Sequence, residues 1–241
     1  MKAFFSILLT VTTLASCAKK GNDLSALPNG YKVKAPSAIN DSLAYLALGD
    51  SYTIGQSVPL VQSFPYQLAA QLNLQLKVST PTIIATTGWN TLDLINAINS
   101  SGTSTRPYDF TTLLIGVNDQ FQGIDPNSYK TTFTNVLNMA IHFVHGNKNR
   151  VFVLSIPDYS VTPFAAGQDR AAIAAQIDQF NAINKSISVA AGVNYLDITD
   201  ISRQAATDAT LIAPDGLHPS GKMYGLWVQR LAPMVKAQLD K

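Results

Sequence analysis

Leu43-Ala44-Tyr45-Leu46-Ala47-Leu48 runs straight into Gly49-Asp50-Ser51-Tyr52-Thr53-Ile54-Gly55. The apolar run has the length and character of a buried β-strand, and the glycines mark a sharp turn directly after it. A serine there stands at the carboxyl end of a strand, where open α/β sheets place their ligands. Its hydroxyl is a weak nucleophile without a neighbouring base, and acyl-transfer chemistry also needs donors for the oxyanion that develops. Whether the rest of the chain supplies both decides how this stretch is read.

Working outward, strand and helix signals alternate. Leu76 to Ala85 reads as a second strand, interrupted at Pro81, and further strands are expected at Phe110 to Val117, Arg150 to Ile156 and Val193 to Ile198. Helices are expected from Phe64-Pro65 to about Leu74, Thr91 to Asn99, Asn127 to Val144 and Gln168 to Ala191. A last helix follows Pro219 and runs to about Leu239, with Pro233 as an expected kink. Ile173, Ile177, Phe180, Ile183 and Ile187 recur at steps of three and four, an apolar helical stripe. Five short apolar strands separated by helices predict an α/β fold, a parallel sheet with helices on both faces. Periodicity leaves the strand order open.

Three more stretches stand between and beyond these elements: Thr87-Gly88-Trp89-Asn90, Gly116-Val117-Asn118-Asp119 and Asp215-Gly216-Leu217-His218-Pro219. Each block alone is weak, because Gly-Asp-Ser arises often by chance. Together and in this order they resemble the blocks of the SGNH hydrolases, or GDSL esterases, and the resemblance spans residues 43 to 239. It implies a three-layer α/β/α flavodoxin-like fold with a five-stranded parallel sheet in the order 2-1-3-4-5, which sets strand one beside a topological switch point. One residue departs from the pattern: the eponymous motif has Leu where this chain has Tyr52. That position need not touch the chemistry, and Asp50 reads as a brace for the turn.

The resemblance also implies roles. Ser51 would be the nucleophile, His218 its general base, and Asp215 the carboxylate that fixes the imidazole tautomer and stabilises the imidazolium. The oxyanion would be held by the backbone N–H of Ser51, the backbone N–H of Gly88 and the side-chain amide of Asn118. Glycine at 88 lets the backbone approach a substrate closely, and Asn118 brings a donor without a competing charge. Trp89 either walls the acyl pocket or packs in the core. Asp158, Tyr159 and Phe164 fall on the loop after strand four and are candidate pocket residues. No cofactor or metal is implied. The other two histidines, His142 and His145, fall off the apolar face of their helix and read as solvent-facing. No Gly-x-Ser-x-Gly elbow, P-loop or dinucleotide fingerprint is present.

The expected activity is a serine esterase acting on small-molecule or carbohydrate esters, with small acyl groups favoured. Lysophospholipase, thioesterase and carbohydrate O-deacetylase activities are alternatives on the same residues. A surface ligand-binding lipoprotein on an inactive fold is the rival from another class. Lys and Arg outnumber Asp and Glu only 17 to 15, with no basic cluster, which argues against a nucleic-acid partner.

The amino terminus carries its own signal. Lys2 precedes an apolar run to Leu14 that is too short to span a bilayer, which takes about 20 residues. Leu14-Ala15-Ser16-Cys17 then resembles a bacterial lipobox, and Cys17 is the single cysteine of the chain. The expected organisation is therefore a signal peptide at 1–16, a lipidated Cys17 opening a tether over 17–41, and a hydrolase domain over 42–241. Two or more acyl chains on Cys17 would anchor it durably to a membrane of the bacterial cell envelope.

Overall fold

The computed structural model describes residues 42–102 and 107–241. The expected signal peptide, Cys17, the tether and part of the loop after residue 100 lie outside the described residues. Five strands form one parallel sheet: β1 (Tyr45–Gly49), β2 (Thr82–Ala85), β3 (Phe110–Leu114), β4 (Val151–Leu154) and β5 (Asn194–Leu196). Their order is β2-β1-β3-β4-β5. Leu48 pairs with Ile84 on one side and Leu113 on the other, so β1 is an interior strand. β1, β3 and β4 are buried throughout, which is why they read as unbroken apolar runs rather than alternating ones. Tyr45 is accommodated there by stacking on Phe110 at 4.4 Å and by a 2.8 Å hydrogen bond between its hydroxyl and that of Thr112.

The strands are shorter than their apolar runs. Pro81 has no N–H to offer a ladder, so β2 begins only at Thr82. The earlier part of that run makes a single bridge, Val78 to Leu43, with both backbone groups of Val78 held by the Asn73 side chain. β5 ends at Leu196, because the Ile198 amide turns to the Ser155 hydroxyl instead.

Helices α1 (Ser51–Ile54) and α2 (Phe64–Leu72) connect β1 to β2. α3 (Thr91–Ser100) leads to β3, α4 (Val117–Phe121) and α5 (Pro126–Phe143) lead to β4, and α6 (Arg170–Ala191) leads to β5. α7 (Thr199–Arg203) and α8 (Gly221–Leu239) close the chain. Right-handed crossovers send the β1–β2 connection to one face and the three later connections to the other. Packing follows that division: α2 lies against α8, while α3, α5 and α6 lie side by side. Phe64 of α2 meets Tyr224 and Trp227 of α8, and all three rings are fully buried. α8 runs through Pro233, where a kink was expected.

α1, α4 and α7 are each a turn or so long and were not apparent from periodicity. Each begins just past a strand's carboxyl end, and two of them bear site residues. His142 is exposed near the end of α5, and His145, expected on that helix, lies two residues beyond it. Among the described residues no helix is long and apolar enough to cross a membrane.

Candidate active site

The turn after β1 is built by packing as much as by backbone freedom. A Cβ on Gly49 would lie 2.1 Å from the Thr53 hydroxyl and 2.3 Å from the Leu114 carbonyl, so only glycine lets α1 and β3 close around that point. Asp50 caps α1 by accepting the Tyr52 amide at 2.9 Å. Ser51 opens the helix, buried, with its hydroxyl toward the sheet's carboxyl edge.

From the other end of the domain, the bridge between Ile212 and Pro219 pins a loop that doubles back through Gly216. The Asp215 carboxylate organises that loop. Its Oδ1 accepts the amides of Leu217 and His218, each at 3.0 Å, and its Oδ2 contacts His218 Nδ1 at 2.6 Å. His218 Nε2 then lies 2.9 Å from Ser51 Oγ. The fold thus brings Ser51, His218 and Asp215 into one hydrogen-bonded line across 167 residues of sequence. Burial on its own would raise the Asp215 pKa. Hydrogen bonds from the Ser57 hydroxyl, the Leu217 amide and the His218 ring and amide outweigh it and hold the carboxyl well below the usual carboxylate range.

Gly88 and Asn118 line the same cleft as Ser51 and His218. Gly88 sits at φ +85°, a left-handed conformation that favours glycine, and a Cβ there would meet nothing within 4 Å. Its glycine is therefore a matter of backbone angle rather than close packing. The amide N–H groups of Ser51 and Gly88 have no partner among the described residues. Asn118 Nδ2 donates one hydrogen to the Trp89 carbonyl at 2.9 Å, leaving its second N–H uncommitted. α4 braces the loop that follows β2 at two more points: the Gln122 amide donates to the Gly88 carbonyl at 3.1 Å, and Asp119 accepts from both the amide and hydroxyl of Thr91.

The cleft opens to solvent, and its empty space, the mouth included, is about 490 Å³. Tyr159 and Phe164, expected as pocket residues, line it. Trp89 and Asp158, expected with them, do not. Trp89 is half-buried and packs against the core, its carbonyl alone facing Asn118. Asp158 is buried away from the cleft, where it caps a 3-10 turn through Ser160 and pairs with Arg203 at 2.8 Å. A carboxylate on the loop after β4, next to a pocket aromatic, reads as a site residue in sequence, but its partners make it a brace for that loop. That loop is also anchored by Asn181 of α6, whose amide takes both backbone groups of Ile156.

Sequence reasoning missed several cleft residues. Tyr52, read as a position that need not touch the chemistry, is buried, lines the cleft and lies with its ring 5.3 Å from that of His218. Phe121 stands one turn beyond Asn118 on α4 and groups with Tyr159 and Phe164 at 6.0 to 6.3 Å. The i, i+3 spacing from Asn118 was the signal available for it. Leu217, Val117 and Thr87 complete the wall.

Asp50 adds an electrostatic feature beneath the turn. Burial pushes its carboxyl up to about 8; the Tyr52 amide opposes the shift and the neighbouring charge of Asp119 adds to it. Its Oδ2 has no partner among the described residues. A folded-state pKa above the unfolded value of about 3.9 means that stability is fully present below that value and is lost as pH rises toward 8. Asp50→Asn keeps the cap and removes the titration. Its stability relative to wild type should climb across that window by up to about 1.4 kcal/mol per pH unit. Urea midpoints at pH 5 and pH 8 measure this, and equal pH slopes for the two proteins would refute it.

The model of the GDSL-like lipase/acylhydrolase family matches residues 47–226. A comparison with curated proteins finds no match. Among solved structures, TesA is similar at a TM-score of 0.63 and 15% identity, over 81% of this chain and 99% of its own. A psychrotrophic esterase from Pseudoalteromonas sp., inhibited by monoethylphosphonate, gives 0.62 and 15%, over 83% of this chain and all of its own. An acetylxylan esterase from Geobacillus stearothermophilus gives 0.59 and 17%, over 83% and 94%. At these identities the likenesses describe a shared fold.

Proposed function

The chain belongs to the GDSL-like lipase/acylhydrolase family and is a hydrolase, and from that premise we propose that it cleaves small neutral carboxylic esters through an acyl-enzyme on Ser51. The observation that carries this reading is the line Ser51 Oγ to His218 Nε2 at 2.9 Å and His218 Nδ1 to Asp215 Oδ2 at 2.6 Å, at the wall of an apolar cleft. In the reactive tautomer Nδ1–H donates to Asp215, which leaves Nε2 free to accept the Ser51 proton. Ser51 Oγ attacks the ester carbonyl. The oxyanion is met by the N–H groups of Ser51 and Gly88 and by the Asn118 amide. The imidazolium of His218 protonates the departing alcohol, and water, deprotonated by the same histidine, then releases the acid.

The cleft walls favour an uncharged substrate. Val117, Phe121, Tyr159, Phe164 and Leu217 are apolar or aromatic, and among the described residues no Lys or Arg lines the cleft. A phosphate-bearing lysophospholipid or coenzyme thioester would find no cation among the described lining residues. Carbohydrate O-deacetylation is a second reading, supported by the exposed rings of Phe121 and Phe164 at the cleft, which offer a stacking surface for a sugar. Turnover of p-nitrophenyl acetate against acetylated xylo-oligosaccharide separates the two. For location, we place the protein at the bacterial cell envelope, held by acyl chains on Cys17; Leu14-Ala15-Ser16-Cys17 supports this.

The direct test is a fluorophosphonate probe followed by mass mapping. Stoichiometric labelling is expected at Ser51 and should be lost in His218→Ala. A folded protein that takes no label would overturn the esterase reading in favour of a ligand-binding lipoprotein.

A further inference from the structure

Gly55 closes α1 in the left-handed region, and the next two residues reach in different directions. Gln56 Oε1 accepts a hydrogen bond from the Thr87 hydroxyl at 2.7 Å, one residue before Gly88. Ser57 Oγ donates to Asp215 Oδ2 at 2.6 Å, across 158 residues of sequence. Ser57 is exposed, so burial does not dictate its conformation. It nevertheless holds φ +66°, a region that serine enters only at a cost. Backbone strain held at one residue beside a site is a reason to look for a function for it.

The carboxylate it touches explains the strain. Oδ1 of Asp215 takes two amides of its own loop. Oδ2 takes His218 Nδ1 and the Ser57 hydroxyl. Of these four donors, Ser57 alone comes from outside the Asp215–His218 loop, and it comes from the turn that carries Ser51. We infer that Ser57 is a positioning residue for the proposed hydrolysis: it locks the Asp215 carboxylate in the plane that faces His218 and ties the acid loop to the nucleophile turn. Gln56 ties the same turn to the oxyanion loop. The two residues tie together three segments that lie beyond the ends of the paired strands. The inference rests on the reading of Ser51, His218 and Asp215 given above.

Ser57→Gly and Ser57→Ala in the purified full-length protein test it, assayed beside Ser51→Ala and Asp215→Ala. Both Ser57 variants should lose about tenfold in kcat, the size of one hydrogen bond to a charged group, with KM unchanged. Glycine suits φ +66°, so Ser57→Gly should keep its Tm within about 2 °C of wild type, which a merely structural role would not allow alongside lost activity. Because Ser57 acts through Asp215, adding Ser57→Gly to Asp215→Ala should cost nothing more. Wild-type kcat in Ser57→Gly, or a loss that persists undiminished in the Asp215→Ala background, overturns the inference while an inactive Ser51→Ala leaves the esterase reading standing. An active Ser51→Ala overturns that reading and this inference with it.

Discussion

Ser51→Ala should reduce kcat for ester hydrolysis by about 10⁵- to 10⁶-fold, with Tm little changed. The size follows from what the side chain does in the proposed reaction. Oγ forms the covalent bond to the acyl group, and among the described residues no other hydroxyl is hydrogen-bonded to His218 Nε2. What remains is water attacking a carbonyl still held by the Gly88 and Asn118 donors. His218→Ala should cost nearly as much, and the double variant no more than either alone, because nucleophile and base act as one unit. Ser51 contributes little packing, since its hydroxyl looks into the cleft. Steady-state kinetics beside thermal melts separates lost chemistry from lost fold. Full ester turnover by a folded Ser51→Ala protein would sink the mechanism.

Asn118→Ala should lower kcat by about 10²- to 10³-fold with KM nearly unchanged, because the donor acts on charge that exists only in the transition state. Asn118→Asp should be worse, since it sets a negative charge where the oxyanion forms. Asn118 also holds the Trp89 carbonyl, so part of any loss could come from a loosened loop. Gln122→Ala is the control: it removes the brace on the Gly88 carbonyl and no oxyanion donor, and it should cost under about tenfold. If Asn118→Ala and Gln122→Ala lose activity equally, the amide serves the loop and not the oxyanion.

Much of this architecture was legible in the chain because the physics behind it is local. The run before Gly49 reads as a buried strand because β1 is buried on both faces. The stripe on α6 reads as a helix because Ile173, Ile177 and Phe180 face the core. Asp215 and His218 are three residues apart on a turn, so their meeting is a short-range matter. Pro81 marked where β2 could not extend. The strand order came from the family resemblance and not from any period in the chain.

Other features depended on what distant segments do at one point. Trp89 and Asp158 sit beside site residues in sequence, yet core packing turns one away and the Arg203 ion pair holds the other. Phe121 lies on a helix too short to show a period, and Tyr52 enters the cleft because α1 turns its ring toward His218. Gly49 looked like a turn glycine and proved to be a contact between α1 and β3.

The sequence by itself determined the alternation of strands and helices, the family, and the residue types that could do acyl transfer. Those rest on apolar periodicity, turn chemistry and motif spacing, each set within a few residues. Only the tertiary structure decided that Ser51 and His218 lie 2.9 Å apart, which rings wall the cleft, and that Ser57 reaches Asp215. Those are distances between segments up to 167 residues apart, fixed by how the crossovers and the pairing of α2 with α8 fold the chain back on itself.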